Sequence, residues 1–340
     1  MEFEPKEKGG LYIFLNHKKM KKKLTSVAFL ITGFVTLAQQ DAQFSMNMFN
    51  RLSVNPAYAG MNKALCGTLF FRNQWTSFPG APKTGLLSVD FGEVLYGGVG
   101  LTVDQDQLGF EKTLKAKLAY SFHLPLEEGT LGIGLDAGMI QKTISGNFIA
   151  PDGTTSSNPG MDLSIPWSGI AATTYDLGFG LYYSTNRLYI GLSSLHLPEQ
   201  QLSKKESSYD FNYKVARHYF VMAGYAFRLS PQFDLTPSIL AKSDASATQL
   251  DLNLMAKWKN IIFGGFSYRL SDALVAIVGL ETNFTPKITA KFAYSYDATT
   301  SAIKNHSSGS HEIMLGFCYK ISRGSGSSGS ENVRYWYKFP

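Results

Sequence analysis

Two histidines, His306 and His311, stand in a loop rich in Ser and Gly, and two carboxylates, Asp104 and Asp106, flank Gln105. Imidazoles at such spacing could ligate a transition metal, and the carboxylates could hold calcium. Neither pair has further ligands beside it, so both read as solvated loop residues and no metal site is expected. The run "GSGSSG" at 324–329 matches GxGxxG letter for letter, but it follows the last strand-like segment and has no βαβ context. It reads as a flexible linker. The chain lacks HExxH, GxSxG and CxxC, so no catalytic residue and no cofactor is expected, and an enzyme is not the expectation. Cys66 and Cys318 are the only cysteines, too few for a disulfide framework.

The chemistry-bearing residues that recur are charges inside alternating segments. In "LGIGLDAGMI" (131–140), Leu131, Ile133, Leu135, Ala137 and Met139 oppose Gly132, Gly134, Asp136 and Gly138. In "QLDLNLMAKW" (249–258), Leu250, Leu252, Leu254 and Trp258 oppose Asp251, Asn253 and Lys257. The same parity puts Arg72, Lys115, Lys117, Lys291 and Lys320 on the small or polar face with Asp90, Glu281 and Glu312. A period of two with large apolar residues on one face suits a transmembrane barrel, with lipid outside and a polar lumen inside. A soluble sandwich would point the apolar face into its core instead. Segment length and aromatic ends favour the barrel. Charges of both signs in a lumen mostly pair and hold the wall together, and an ion pathway is the alternative.

Compartment and composition agree with that reading. "MKKKLTSVAFLITGFVTLA" (20–38) has three lysines, an apolar run and a small residue at its end, the layout of a secretory signal peptide. Met20 then reads as the true start, and Gln39 or Gln40 as the mature N-terminus. An uncleaved anchor is the alternative. Of 340 residues 14% are aromatic and only 17% charged, and beyond the signal no apolar run approaches the roughly 20 residues of a spanning helix. The formal charge of +6 owes much to the leader, so the mature chain is near neutral and no nucleic-acid partner is expected.

About fourteen strands are expected, at roughly 63–75, 83–92, 95–104, 111–123, 129–142, 174–184, 187–195, 213–228, 232–242, 246–258, 260–270, 272–283, 286–296 and 310–321. Short connections follow the even-numbered segments, and the long ones, 76–82, 143–173, 196–212 and 297–309, follow odd-numbered segments. Outer-membrane barrels have short periplasmic turns and longer outside loops, so both termini are expected in the periplasm and the long connections, including Ser156, outside. Trp75, Phe78, Tyr96, Tyr182, Tyr183, Tyr213, Tyr219, Trp258, Tyr268, Tyr294, Tyr296 and Tyr319 lie near segment ends, as interfacial girdles require. Closure makes the first and last strands neighbours. Parity then turns Cys66 and Cys318 both into the lumen at similar height, which places them within reach of a disulfide if the register is right.

The stretch "QDAQFSMNMFNRLSVNPAYAG" followed by "LFFRNQWTSFPGAPKT" resembles the start of the PorP/SprF family of type IX secretion outer-membrane proteins. The resemblance rests on Gln40, Asp41, Gln43, Phe44 and Ser45, then Met48, Phe49 and Asn50, then Asn55, Pro56, Ala57, Tyr58, Ala59 and Gly60. It continues through Arg72, Gln74 and Trp75 to Gly80, Ala81, Pro82 and Thr84. Arg51 departs from the family's usual proline, and Asn47 is unusual between the motifs. The resemblance implies a barrel that serves a secreted surface adhesin, or its C-terminal sorting domain, together with periplasmic type IX components. A diffusive porin or hydrophobic-solute channel is the alternative.

The expected organisation is therefore 1–38 as upstream extension and signal peptide, and 39–62 as an N-terminal segment packed at the periplasmic side. A barrel in the lipid bilayer follows over 63–321, then a Gly/Ser linker and periplasmic tail over 322–340. Candidate partner or plug contacts are Gln43, Phe44, Met48, Phe49, Asn50, the run Asn55–Gly60, Arg72, Gln74 and Trp75. Lumen charges are Lys115, Lys117, Asp136, Asp251, Lys257, Glu281 and Lys291. A polar Asn/Gln-rich segment removed from water needs hydrogen-bond partners, so 40–60 is expected against the periplasmic mouth or the inner wall.

Overall fold

The computed structural model describes residues 41–144, 169–205 and 210–321. The signal and upstream extension, Gln39 and Gln40, Ser156 with most of its connection, and the tail from 322 lie outside the described residues.

The chain enters through a 3-10 turn (Asn47–Phe49), a short helix α1 (Arg51–Val54) and a second 3-10 turn (Pro56–Tyr58). Seven strands follow: β1 (Leu65–Asn73), β2 (Lys83–Val94), β3 (Gly97–Leu108), β4 (Glu111–Pro125), β5 (Gly129–Ile144), β6 (Ile170–Thr185) and β7 (Leu188–Leu195). A separate hairpin, β8 (Gln201–Lys205) and β9 (Asp210–Lys214), stands between β7 and β10 (His218–Tyr225). Then come β11 (Phe227–Ser230), β12 (Phe233–Ser243), β13 (Thr248–Trp258), β14 (Ile262–Arg269), β15 (Ala273–Thr285), β16 (Ile288–Thr299) and β17 (Ser310–Tyr319).

Every wall pairing is antiparallel between neighbours, and the ring closes where β1 pairs with β17 and where β10 pairs with both β7 and β12. β10 and β11 are halves of one wall strand interrupted at Ala226, whose N–H goes to the Arg187 carbonyl at 2.8 Å. The wall is a closed antiparallel barrel of fourteen strands. At the seam Cys66 pairs with Cys318 in register, their Cα atoms 4.1 Å apart, and the two form a disulfide. Both are buried in the lumen while Leu65 and Phe317 point outward, as alternation requires. The bridge ties together residues 252 apart in sequence, so it closes nearly the whole wall covalently.

Two expectations are corrected. The eighth wall strand starts at His218 rather than 213, because 201–214 pairs with itself as the β8–β9 hairpin. Tyr213 therefore belongs to that hairpin and not to a girdle, and its ring lies under the Lys142 ammonium at 3.6 Å. Tyr182 is not in a girdle either: it is buried and faces the lumen. Its parity matches Gly180 and Ser184, not the outward Phe179 and Leu177.

The outer face carries exposed Leu118, Leu135, Val221, Leu252, Phe266 and Val278. A contiguous apolar belt of this kind has only a bilayer to cover it. Among the described residues no helix is long and apolar enough to cross a membrane, so crossing falls to the strands. Leu135→Lys, mid-strand on this belt, should cost about 2–4 kcal/mol. Urea titration of the protein refolded in lipid vesicles measures it, and an unchanged midpoint would mean that this face does not meet lipid.

Candidate functional site

The lumen is not empty: residues 41–63 occupy it. Gly60 lies at the end of the short connections, against Gly92 and Gly98 on either side of the β2–β3 turn. Its φ of +72° is left-handed, which favours glycine. Asp41 lies toward the long-connection end, bonded to Lys115 at 2.7 Å and to His196, which directly follows β7, at 3.1 Å. The segment thus runs along the inner wall from one half of the barrel to the other before it becomes β1.

Its backbone is satisfied by wall side chains, as polar groups withdrawn from water demand. Glu312 accepts the Ser45 and Met46 N–H groups at 2.8 and 2.9 Å. The same carboxylate pairs with Arg72 at 3.1 Å, and Arg72 reaches Asp297 at 2.7 Å. Arg269 joins Asp297 at 3.3 Å and Asp251 at 3.4 Å, while its Nη2 donates to the Phe44 carbonyl at 3.3 Å. Asn47 donates to Asp251 at 3.0 Å. This buried knot holds residues 44–47 to five strands at once, β1, β13, β14, β16 and β17.

Nearer the short connections, Asn55 is fully buried. Its amide donates to the Leu181 and Leu192 carbonyls at 3.0 and 3.3 Å, and its Oδ1 accepts the Ala57 N–H at 3.0 Å, capping the Pro56–Tyr58 turn. The Ala57 carbonyl accepts from Ser121 at 2.8 Å, and Gly60 N–H donates to Asp90 at 3.0 Å. Small wall residues make room. A Cβ on Gly191 would come within 2.9 Å of the Asn55 amide nitrogen.

Apolar contacts complete the fit. Met48 and Phe49 are buried with Phe70, Leu86, Met255, Phe263 and Met314, and Phe44 meets the Phe70 ring edge-on at 5.6 Å between centroids. Lys291 sits over the Phe49 ring at 4.5 Å while paired with Glu281 at 3.3 Å, and Lys257 holds the same carboxylate at 2.8 Å. Arg51 lies on the Tyr189 ring at 4.2 Å and donates to the Tyr182 hydroxyl at 3.3 Å. Burial alone would raise the Asp41 carboxyl; Lys115, His196 and His218 together hold it well below the usual range.

Of the other candidate residues, Gln43 donates to Gln249 at 2.7 Å, Lys117 pairs with Asp136 at 3.5 Å, and Asn50, Pro56 and Ala59 are buried. Tyr58 accepts from Asn62 at 3.0 Å. Gln74, just past β1, stays buried, its amide donating to the Gln43 Oε1 at 3.5 Å, and Trp75 begins the β1–β2 connection. Trp75 N–H donates to Ser310 at 3.0 Å, and Thr76 pairs by backbone with Gly309 and Ser308, both at 2.8 Å. Thr76 to Ala81 line a polar recess of about 430 Å³ with Asn73, Lys83 and Gln107 at the long-connection rim. Lys320 lies one residue past β17, half-buried.

Sequence reasoning missed Arg269, Asp297, Asp176, His196 and His218. Arg269 shares inward parity with Ser267 and Phe263 and was legible on that ground. Asp297 fell one residue outside the expected strand. The histidines could not be placed without the hairpin beside them.

A family model described as type IX secretion system membrane protein PorP/SprF matches residues 36–317. The chain belongs to the PorP/SprF family. The matched span of this PorP/SprF chain covers the lumen segment and the whole wall almost to the end of β17. Among solved structures it is similar to the Ralstonia pickettii toluene transporter TbuX, with 13% identity over 86% of this chain and 100% of that one and a TM-score of 0.49. It is also similar to the Pseudomonas putida toluene transporter TodX, with 10% identity over 79% and 93% of the two chains and a TM-score of 0.48. A third is the Acinetobacter baumannii outer membrane protein Omp33, with 7% identity over 77% and 100% and a TM-score of 0.39. No curated protein matches the chain. The protein is an outer-membrane barrel of the type IX secretion family.

Proposed function

We propose that this barrel binds a secreted surface adhesin, or its C-terminal sorting domain, at the long-connection rim and supports its secretion or retention on the cell surface. The observation that carries the reading is the bonded, buried segment in the lumen. A bore filled by the protein's own chain, held through Glu312, Asp251 and Asn55, suits a stable pedestal rather than a path for solutes. The docking surface is then the rim, where the β1–β2 connection is braced on 308–310 and forms the recess around Thr76–Ala81. The rim faces outward and both chain ends of the wall face the periplasm, where components of the type IX machinery are within reach. The family's type IX assignment and the motif residues Gln74 and Trp75 leading into that rim support this arrangement.

Two results follow. An epitope inserted after Asn305, in the connection between β16 and β17, should be labelled on intact cells; labelling only after lysis would invert the barrel. Affinity purification of the barrel from outer membranes should co-purify a reporter fused to a type IX sorting domain. Replacing 76–81 by a Gly/Ser linker of equal length should reduce recovery at least tenfold. Equal recovery from both would remove the rim as the binding surface.

A further inference from the structure

We propose that Asp41, His196 and His218 form a binding site for one divalent transition-metal ion of the class that prefers imidazole, such as zinc, nickel or copper. The ion would pin the start of the lumen segment to the ends of β7 and β10. The site stands independently of the adhesin reading.

The donor atoms of these three residues lie within 4.8 Å of one another. Tetrahedral zinc with bonds of about 2.0–2.1 Å needs ligand atoms about 3.3 Å apart. His196 Nε2 is already 3.1 Å from Asp41 Oδ2. His218 lies farther out, its Nδ1 3.9 Å from Asp41 Oδ2, so its ring must turn to bring Nε2 onto the ion.

The second observation is how each imidazole is held. His196 Nδ1 is 2.8 Å from Asp176 Oδ2, and both groups are buried. His218 Nδ1 is 3.0 Å from the Ala216 carbonyl. A carbonyl only accepts, so Nδ1 carries the proton and Nε2 keeps its lone pair. The Asp41 N–H donates to that Nε2 at 3.3 Å, which requires the same tautomer, and the ion would take the place of this bond. A carboxylate or carbonyl behind each imidazole is how metal-binding histidines are oriented and made more basic.

Charge does not forbid the ion. Lys115 occupies Asp41 Oδ1 at 2.7 Å and leaves Oδ2 on the histidine side, and it also meets Asp104 at 3.6 Å. Lys242 donates to the Asp41 carbonyl at 3.1 Å. Against these two ammonium groups stand the carboxylates of Asp41, Asp104 and Asp176. His196 stands between the Asp41 and Asp176 carboxylates, so an ion would displace the proton its Nε2 shares with Asp41. Two imidazoles and one carboxylate then leave a fourth position for water, and the donors suit zinc or nickel better than calcium or magnesium.

The test uses the full-length barrel, purified in detergent, stripped with EDTA and titrated with zinc by calorimetry. One equivalent should bind. His196→Ala with His218→Ala should weaken binding at least 100-fold. Asp176→Asn, which touches no metal, should weaken it about 10–100-fold. Cobalt should give the visible absorption of a tetrahedral site in the parent and lose it in Asp41→Ala, a change outside the wall strands that leaves a readout if the histidine variant does not fold. No uptake by the parent would overturn the site. So would undiminished uptake by the variants, which would put the metal on His123, His306 or His311.

Discussion

Arg72→Met should destabilise the barrel by about 3–5 kcal/mol, the cost of breaking a buried ion pair on one side only. Arg72 is the sole residue that bridges Glu312 at 3.1 Å and Asp297 at 2.7 Å among the described salt bridges, and all three side chains are almost fully excluded from solvent. Methionine fills a similar volume, so the loss is electrostatic rather than a cavity. The Asp297 carboxylate keeps Arg269 at 3.3 Å, and Glu312 keeps two backbone N–H donors, which sets the upper end of the range. Arg72→Lys should recover only part, because an ammonium cannot reproduce the planar fork that reaches both acids and the Ser45 hydroxyl. Urea titration in detergent, read by heat-modifiable migration, gives the numbers. A loss below about 1 kcal/mol would place the knot among pairs that contribute little.

Gly60→Val should prevent the lumen segment from seating, at a cost of at least about 3 kcal/mol. The left-handed φ of +72° disfavours a β-branched residue before any contact is counted. A Cβ would also lie 2.6 Å from the Gly98 Cα, 2.8 Å from the Gly92 Cα and 2.9 Å from the Phe91 carbonyl oxygen. All three are backbone atoms of paired strands and cannot yield as a flexible side chain would. Asp90 would lose the Gly60 N–H it accepts at 3.0 Å. Proteolysis of the folded barrel should cut within 41–60 of the variant while sparing the parent. Equal resistance would show that the turn tolerates a side chain.

Most of the wall was legible because alternation in a barrel is nearly free of competing signals. Asp136 among glycines and Asp251 among leucines could face only inward, and loop lengths fixed the parity of the whole count. The seam followed from the same logic, since Cys66 and Cys318 share inward parity on strands that closure makes neighbours. The β8–β9 hairpin was not legible: "LSKKE" and "FNYKV" alternate too weakly to separate a rim hairpin from the wall strand at His218. The break at Ala226 is a tertiary event, in which its N–H turns to Arg187 instead of continuing the β10–β12 ladder.

The lumen segment was legible as a unit but not in its reach. Its Asn and Gln content announced buried hydrogen bonding, and Asn55 meets that need through two wall carbonyls. That Asp41 stands at the far half of the wall, beside His196 and His218, depends on side chains from strands more than 150 residues away. Short-range pattern carries no such information. Ser45, unremarkable in sequence, joins Arg72, Asp297 and Glu312 because it lies where three strands bring their charges together.

The barrel's own N-terminal segment fills its bore, which leaves the rim as the working surface we propose. Planar-bilayer conductance tests this most directly, comparing the intact protein with a variant lacking residues 41–50 but retaining Asn55–Gly60 and the complete wall. The intact, heat-modifiable protein should give no stable conductance steps and the excised one discrete open steps, as ions pass between Arg72, Asp251 and Glu312. Steps of equal size from the intact protein would contradict it and return the barrel to the class of open channels.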